Sequence, residues 1–539
     1  MTIDNWQNKK AFPWLLSVLS GILLWVGWPT SPVPYFLFIG LVPLLILQDY
    51  LQKNSHKSGR KVFGFGYLAF FIWNVATTWW VWNSSPAGAI AMLVFNTLFM
   101  AVVLWLFHLT RKAAGDLFGY LGLVCYWLAF EYIHLNWDLS WPWLNLGNGF
   151  AMIPEWIQWY EYTGAFGGAL WIWLFNLAIF FALFYQGTIK QPEKRWLSFV
   201  VALVVVPGVG SYLIGAYHEE SKESVEVVVT QPNIDPYTEK FIGSDNFIPY
   251  RQQVEKFISI SQQKLTAETS FLLWPETAID NVFNEDRLES YPILDTIAGL
   301  ENLYPNLSLL SGITSYQQYL NVDKATPTAR YREDLGYYDV FNAALFMNES
   351  GIKKTYHKSK LVPGVEILPY PKVFNFLTEW IFDLGGTAGS LGRQKDRTVF
   401  FNEKGVGIAP AICYESIYGE FMAEFIRNGA HYIFIITNDG WWGNTPGHRQ
   451  HLHYATMRAI ETRRSIARSA NTGVSAFIDQ KGNISQATQY WEPAVISADL
   501  NENKELTFYV TYGDYLARTS LWLSVFIMLA AIVKKRMKR

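Results

Sequence analysis

Three side chains in the second half of this sequence stand where strand-like runs give out. Cys413 follows the apolar run Gly405–Ile412 and precedes Tyr414 and Glu415. The other cysteine, Cys125, lies far upstream in a long hydrophobic run, so the two are not expected to pair. A lone cysteine at a strand end is either a small buried core residue or a nucleophile. Glu276 closes the stretch Leu272-Leu273-Trp274-Pro275-Glu276. A carboxylate held near apolar walls behind a rigid proline gains proton affinity and suits a general base. The plainer alternative is an acid at a helix start or on the surface. Lys358 stands in Tyr356-His357-Lys358-Ser359-Lys360-Leu361-Val362-Pro363. An ammonium there can stabilise an oxyanion and favour a nearby thiolate, or be a solvated strand-end lysine. Spacing alone does not separate it from Lys353, Lys354 and Lys360.

Other chemistries find less support. His448, His451 and His453 read as a polar helix face, since no cysteine or further helical turn completes a metal site. No phosphate-cradling glycine loop, dinucleotide fingerprint or serine elbow has a suitable context.

These residues need a scaffold, and the stretch 218–514 supplies an α/β pattern. Val225–Thr230, Phe271–Trp274, Leu309–Gly312, Ala343–Met347, Val406–Ile412 and Tyr432–Thr437 read as strands. Tyr250–Leu265 and Tyr454–Ser469 read as helices. Several strands end in the residues singled out above, which is how a rigid sheet presents reactive groups.

The rest of the chain is of another kind. Half of the 539 residues are hydrophobic and 17% are aromatic, high for a water-soluble enzyme and ordinary for a membrane protein. Spans are expected at Ala11–Trp28, Val33–Tyr50, Val62–Trp82, Ala87–Leu109, Leu117–Leu135, Tyr162–Tyr185, Leu197–Ala216 and Tyr515–Val533, each near the ~20 residues that cross a hydrocarbon core. No cleavable signal peptide is expected, because the first apolar run leads into others. Lysine and arginine alternate with the loops. Lys9 and Lys10, then Lys53, Lys57, Arg60 and Lys61, then Arg111 and Lys112, then Lys190, Lys194 and Arg195 mark one side. The basic end Lys534–Arg539 joins them. The connections Pro29–Pro32, Asn83–Pro86 and Asn136–Glu161 carry neither residue. That alternation puts both termini in the cytoplasm and the polar domain outside. Trp137, Trp141, Trp143, Trp156 and Trp159 crowd one outer connection and suit a headgroup-level belt or a role in lipid entry. Glu131 and His134, near the outer end of the fifth span, are either functional groups or structurally paired ones. A formal net charge of -2 gives no basic stripe for nucleic acid.

In this order, Trp274-Pro275-Glu276, Tyr356-His357-Lys358 and Ile412-Cys413-Tyr414-Glu415 resemble the three signatures of the carbon–nitrogen hydrolase, or nitrilase, superfamily. The resemblance covers about Val225 to Leu500. With the flanking spans it narrows to the apolipoprotein N-acyltransferase family. Tyr338–Asn342, Lys360-Leu361-Val362-Pro363 with Glu366, Asn438-Asp439-Gly440-Trp441-Trp442-Gly443 and Gln450–Gly473 add to it. The resemblance implies a bundle of eight transmembrane helices with an α/β nitrilase-like αββα sandwich. Residues 1–217 would form a seven-helix transmembrane bundle, 218–514 the extracytoplasmic catalytic domain, and 515–539 the eighth helix and basic cytoplasmic tail. It implies a Glu276, Lys358, Cys413 triad, with Asn342, Glu366, Tyr414, Glu415 and Trp441 at the substrate. It implies transfer of an acyl chain from a phospholipid, through a cysteine thioester, to the α-amine of a diacylglyceryl lipoprotein at the bacterial inner membrane. No metal or organic cofactor is implied. Two departures stand out. Leu361-Val362-Pro363-Gly364-Val365-Glu366 replaces the common Leu-Val-Pro-Phe-Gly-Glu, and a tryptophan expected after the first strand is absent, with Tyr237 the candidate for its place. The aromatic-rich segment Gly364–Gly386 is expected to act as a mobile arm or to pack on the sandwich. A membrane-anchored amidase or nitrilase is the rival within the same chemistry, but one span would anchor it. A transporter with an inert outer domain is the rival outside it, and a lack of intramembrane charge argues against that.

Overall fold

A computed structural model describes residues 10–185, 194–370 and 390–538. The chain divides into two compact units, Met1–Trp82 with Ala87–Tyr217 and Tyr512–Arg539, and Asn83–Pro86 with His218–Thr511.

The first unit is helical. Among the described residues, six helical stretches are long and apolar enough to cross a membrane: Pro34–Asn54, Ser58–Asn83, Pro86–Ala114, Tyr160–Leu183, Lys194–Tyr217 and Tyr515–Met537. Of the eight expected spans, six coincide with these helices. The helix expected as the first span, Phe12–Val26, has 15 residues. At 1.5 Å per residue it reaches ~22 Å, short of a ~30 Å hydrocarbon core. The expected fifth span is the helix Asp116–Leu135, whose Asp116, Glu131 and His134 reduce its apolar character. Outward-facing Val206, Trp522 and Phe526 are each at least 65% exposed, an apolar surface that water does not favour. Inside the bundle, Glu131 Oε1 accepts hydrogen bonds from Trp127 Nε1 at 2.9 Å and Leu146 N at 2.7 Å. Trp143, one of the expected belt tryptophans, is buried and packs on Trp80.

The second unit is a sandwich of two sheets. Its strands are β1 (Ser224–Gln231), β2 (Thr269–Leu273), β3 (Ile279–Asn284), β4 (Ser308–Tyr319), β5 (Arg330–Arg332), β6 (Gly336–Met347) and β7 (Lys353–His357). They continue with β8 (Phe400–Phe401), β9 (Gly407–Ile412), β10 (Tyr432–Thr437), β11 (Ile466–Ala470), β12 (Ala476–Ile478), β13 (Ile484–Ser485) and β14 (Ala494–Asn501). One sheet runs β14-β1-β2-β4-β6-β5, with β3 on β4 and β7 on β6. The other runs β13-β12-β11-β10-β9-β8. β1, β2 and β4 are parallel neighbours, as are β9, β10 and β11. Strands buried on both faces read as continuous apolar runs, as Tyr432–Thr437 does. The sheets face each other, β1 and β2 against β11 and β6 against β9. Phe271 and Phe434 meet edge to face at 5.2 Å between them. Helices Tyr250–Ser261 and Pro292–Leu303 cover the outer face of the first sheet, and Gly419–Arg427 and Pro446–Thr462 that of the second. This is an αββα arrangement.

One helix expectation is corrected. Tyr454–Ser469 is not a single helix. The helix starts earlier, at Pro446 behind the Thr445 cap, and ends at Thr462 with Arg463 in the left-handed region at φ 49°. The chain then enters β11, where Ile466–Ala470 pairs with β10. The demand for a buried central strand overrides the helical preference of the arginines and alanines there.

Candidate active site

Glu276 stands just past β2. Trp274 anchors the strand end, packing on Phe257 at 4.9 Å and donating to Ser261 Oγ at 3.1 Å. Pro275 accepts from Gly312 N at 3.1 Å, which ties the turn to β4. That contact is close enough that a Cβ on Gly312 would lie 2.3 Å from Thr277 N and 2.6 Å from Glu276 Cα. Only glycine fits there. Thr277 then adopts φ 47° and the carboxylate turns inward.

Both of its oxygens accept hydrogen bonds. Oε1 accepts from Lys358 Nζ at 3.0 Å and Asn342 Nδ2 at 2.8 Å, and Oε2 accepts from Asn438 N at 3.1 Å. Lys358 follows β7, and its N–H is held by Asn342 O at 2.8 Å. Its ammonium also reaches Glu366 Oε1 at 2.8 Å. Glu366 accepts from Asn342 Nδ2 at 3.0 Å and from Val362 N at 2.8 Å. The altered Gly364-Val365 loop therefore still returns the glutamate to the lysine. Burial works against the ammonium, but the carboxylates of Glu276 and Glu366 overcome it and hold the Lys358 pKa well above the usual range. Lys358 is charged at neutral pH. Lys360 does not share this site. Its Nζ lies 4.7 Å above the Tyr418 ring, and burial lowers its pKa to about 8.

Cys413 terminates β9 and opens a 3-10 turn, Cys413–Ile417. It takes φ 51°, a left-handed conformation that is uncommon for a residue with a side chain and is held by its surroundings. Glu415 closes the turn. Its Oε2 accepts from Ile412 N at 2.9 Å, and its Oε1 accepts from Ser359 N at 2.6 Å and Tyr356 Oη at 2.8 Å. One carboxylate thus links the cysteine turn to the segment that carries Lys358. Burial raises the Glu415 pKa, opposed by the hydrogen bonds from Ser359 and Ile412. Burial, and after it the charge of Glu276, pushes the Cys413 thiol up, while Lys358 pulls it down. The thiol is therefore protonated at neutral pH.

The structure brings Glu276, Lys358, Cys413, Asn342, Glu366 and Glu415 into one connected set. Tyr414 is buried on the same turn and meets Tyr418 edge to face at 5.3 Å. Trp441 lies in the turn that follows Asn438. Tyr237 meets it edge to face at 5.3 Å and Phe241 stacks on it at 6.0 Å. Two aromatic rings after β1, not one, fill the region assigned to Tyr237. Of Gly364–Gly386, the residues from 371 onward lie outside the described residues, and the expected arm with them.

The sequence reading missed Lys240. It is buried beside Glu276, with Nζ 3.0 Å from Thr277 Oγ1 and 3.3 Å from Glu276 O. Burial lowers its pKa to about 8. It also missed the buried pair behind the cysteine, Asp439 and Arg468 at 2.6 Å. Neither had a local signal, because each meaning depends on a partner far along the chain. Among the described residues, no group of three or more His, Cys, Asp or Glu could hold a metal ion.

Comparison with known proteins agrees with this arrangement. Residues 245–505 match the carbon-nitrogen hydrolase family, so the second unit is a domain of that class. Residues 20–178 match the apolipoprotein N-acyltransferase N-terminal domain. An apolipoprotein N-acyltransferase of Chlorobaculum tepidum is 28% identical over 97% of this chain and 97% of its own. One of Geobacter metallireducens is 26% identical over 94% and 92%. A nitrilase-superfamily protein of Saccharomyces cerevisiae aligns at TM-score 0.37 and 15% identity, covering 52% of this chain and 93% of its own. The chain belongs to the apolipoprotein N-acyltransferase family.

Proposed function

We propose that this chain is a membrane acyltransferase that moves a fatty acyl group from a phospholipid to the N-terminal α-amine of a diacylglyceryl-cysteine lipoprotein. The observation that carries the chemistry is Lys358, held at 3.0 Å from Glu276 and 2.8 Å from Glu366 in the same connected set as Cys413. Glu276 accepts the Cys413 proton as the sulfur attacks the ester carbonyl. The charge that develops on the carbonyl oxygen is stabilised by the Lys358 ammonium. Collapse breaks the ester C–O bond, and the leaving alkoxide takes the proton from Glu276 and departs as lysophospholipid. A thioester remains on Cys413. The lipoprotein amine then attacks it, Glu276 takes the amine proton, and the C–S bond breaks. The proton returns to sulfur. Two steps replace one slow aminolysis of an ester. No metal or organic cofactor enters. Asn342 and Glu366 orient the charged pair, while Tyr414, Glu415 and Trp441 shape the surroundings of the acyl donor and acceptor.

The loop-charge alternation supports an eight-span topology in the bacterial inner membrane, with both termini cytoplasmic and residues 218–514 periplasmic. On that reading Phe12–Val26 and Asp116–Leu135 are the two further spans. A hydrolase of small amides shares the triad, but relatives named as acyltransferases match this chain over nearly its full length. The deciding experiment is intact-mass measurement of the purified protein after incubation with phospholipid. The wild type should gain one acyl chain and Cys413→Ala none. A wild type that releases free fatty acid and never carries the acyl chain would contradict the reading. Lys57→Cys should resist a membrane-impermeant thiol reagent in intact cells, and Lys481→Cys should react once the outer membrane is permeabilised.

A further inference from the structure

The three histidines of the Pro446–Thr462 helix have different surroundings. His448 stacks on Tyr490 at 4.2 Å and lies 3.2 Å from Asn444 Oδ1. His451 alone faces the cysteine turn. Its Nε2 lies 3.2 Å from the main-chain oxygen of Cys413 and 3.1 Å from Ser416 Oγ. Its Nδ1 lies 3.0 Å from Asp439 Oδ1 and 3.1 Å from Arg468 NH2. The ring is 1% exposed.

These contacts fix where the proton is. The Cys413 carbonyl can only accept. Ser416 Oγ spends its one hydrogen on that same oxygen, at 2.8 Å, so it cannot also donate to the ring. With Nε2 as the donor to that carbonyl, Nδ1 is left to accept from Arg468. Asp439 is itself fixed by Arg468 at 2.6 Å and by Thr437 Oγ1 at 2.9 Å. The same helix reaches the cysteine turn a second time two helical turns on, where Arg458 NH1 donates to Ile417 O at 2.8 Å. The 3-10 turn of the cysteine is thus gripped at its first and last carbonyls by one helix face.

We propose that His451 is a positioning residue of the transfer reaction: its Nε2–H holds the Cys413 carbonyl and so keeps the left-handed turn that presents the thiol to Glu276 and Lys358. At φ 51° the cysteine backbone stays in an uncommon conformation only while its surroundings hold it. Releasing that carbonyl lets the turn relax toward φ below zero, and the sulfur moves with it. A misplacement of ~1 Å at a reacting atom costs ~100-fold in rate. The inference rests on the acyl-transfer reading above.

The test uses two near-isosteric variants. Glutamine reproduces the Nε2 donor of histidine, and asparagine reproduces its Nδ1 side. His451→Gln keeps the Cys413 bond and loses the one from Arg468, and His451→Asn does the reverse. Full-length protein in phospholipid nanodiscs is followed by intact mass for thioester formation, with initial rates against phospholipid in mixed micelles and thermal unfolding alongside. The expected result is that His451→Gln keeps most of its rate while His451→Asn loses ~100-fold in kcat with an unchanged KM. Asparagine as active as glutamine would overturn the proposal. So would equal losses in both variants that track equal losses of thermal stability, because His451 would then act on the fold alone. A wild type that forms no thioester would instead sink the acyl-transfer reading, a result distinct from either.

Discussion

The turn after β2 and the turn after β9 carry Glu276 and Cys413, and they are built on opposite plans. Each leaves its strand with a residue at positive φ. After β2 that residue is Thr277, the neighbour of the proposed base, and Glu276 itself does not take a positive φ. After β9 it is Cys413, the proposed nucleophile itself. The first turn is shaped by covalent and steric means, a proline and the bare Cα of Gly312, and its side chain is then held by full charges. The second is shaped by hydrogen bonds between its main chain and the side chains of Ser416, Glu415 and His451. The difference teaches that one turn controls where charge and protons reside, and the other controls where an atom is. Substitutions in the first turn should alter proton balance, and those in the second should alter geometry.

The sharpest break comes from Cys413→Ser, which should abolish acyl uptake in the intact-mass measurement while near-UV circular dichroism stays unchanged. A hydroxyl is a far weaker nucleophile in a site arranged for sulfur. Next, Glu276→Gln and Lys358→Met should each lower the single-turnover rate of thioester formation by ~100 to 1,000-fold, since one loses the base and the other the oxyanion donor. The same two variants separate proton control from geometry when Cys413 is alkylated with iodoacetamide across a pH series. The Glu276 charge raises the thiol's proton affinity, so Glu276→Gln should shift the alkylation profile to lower pH despite its lost turnover. Lys358 lowers that affinity, so Lys358→Met should shift the profile to higher pH. Shifts of equal sign in both would break the comparison. The smallest effect belongs to Lys360→Met, which should keep most activity, because Lys360 sits over Tyr418 and away from Glu276. An inactive Lys360→Met beside an active Lys358→Met would reassign the lysine.

Much of this was legible in the chain. The strands ending at Trp274 and Ile412 announced themselves by apolar runs stopped by Pro275-Glu276 and Cys413-Tyr414, and the sheets put both ends together. Spacing could not choose Lys358 over Lys360. Only the antiparallel pairing of β7 with β6, which sets Asn342 O against Lys358 N, makes the choice. His451 read as one of three polar helix residues because a helix face does not say what it faces. Lys240 had no signal, since its use depends on a turn 36 residues further on. Phe241 was overlooked beside Tyr237 because stacking on Trp441 is a property of two loops far apart in sequence. In the helical unit, hydropathy located six of the expected spans as long apolar helices, while Phe12–Val26 stops at Gly27 after 15 residues.

Gly312 takes no part in the chemistry, yet it sets a mechanical tolerance. The atom it lacks would fall 2.3 Å from Thr277 N, inside any allowed contact. A single methyl group on β4 would therefore work as a wedge, levering the Pro275–Thr277 backbone off its neighbour strand and carrying Glu276 away from Lys358. A survey that scored positions by lost activity alone would place residue 312 beside the proposed triad, although what its side chain would meet is the backbone of Pro275–Thr277.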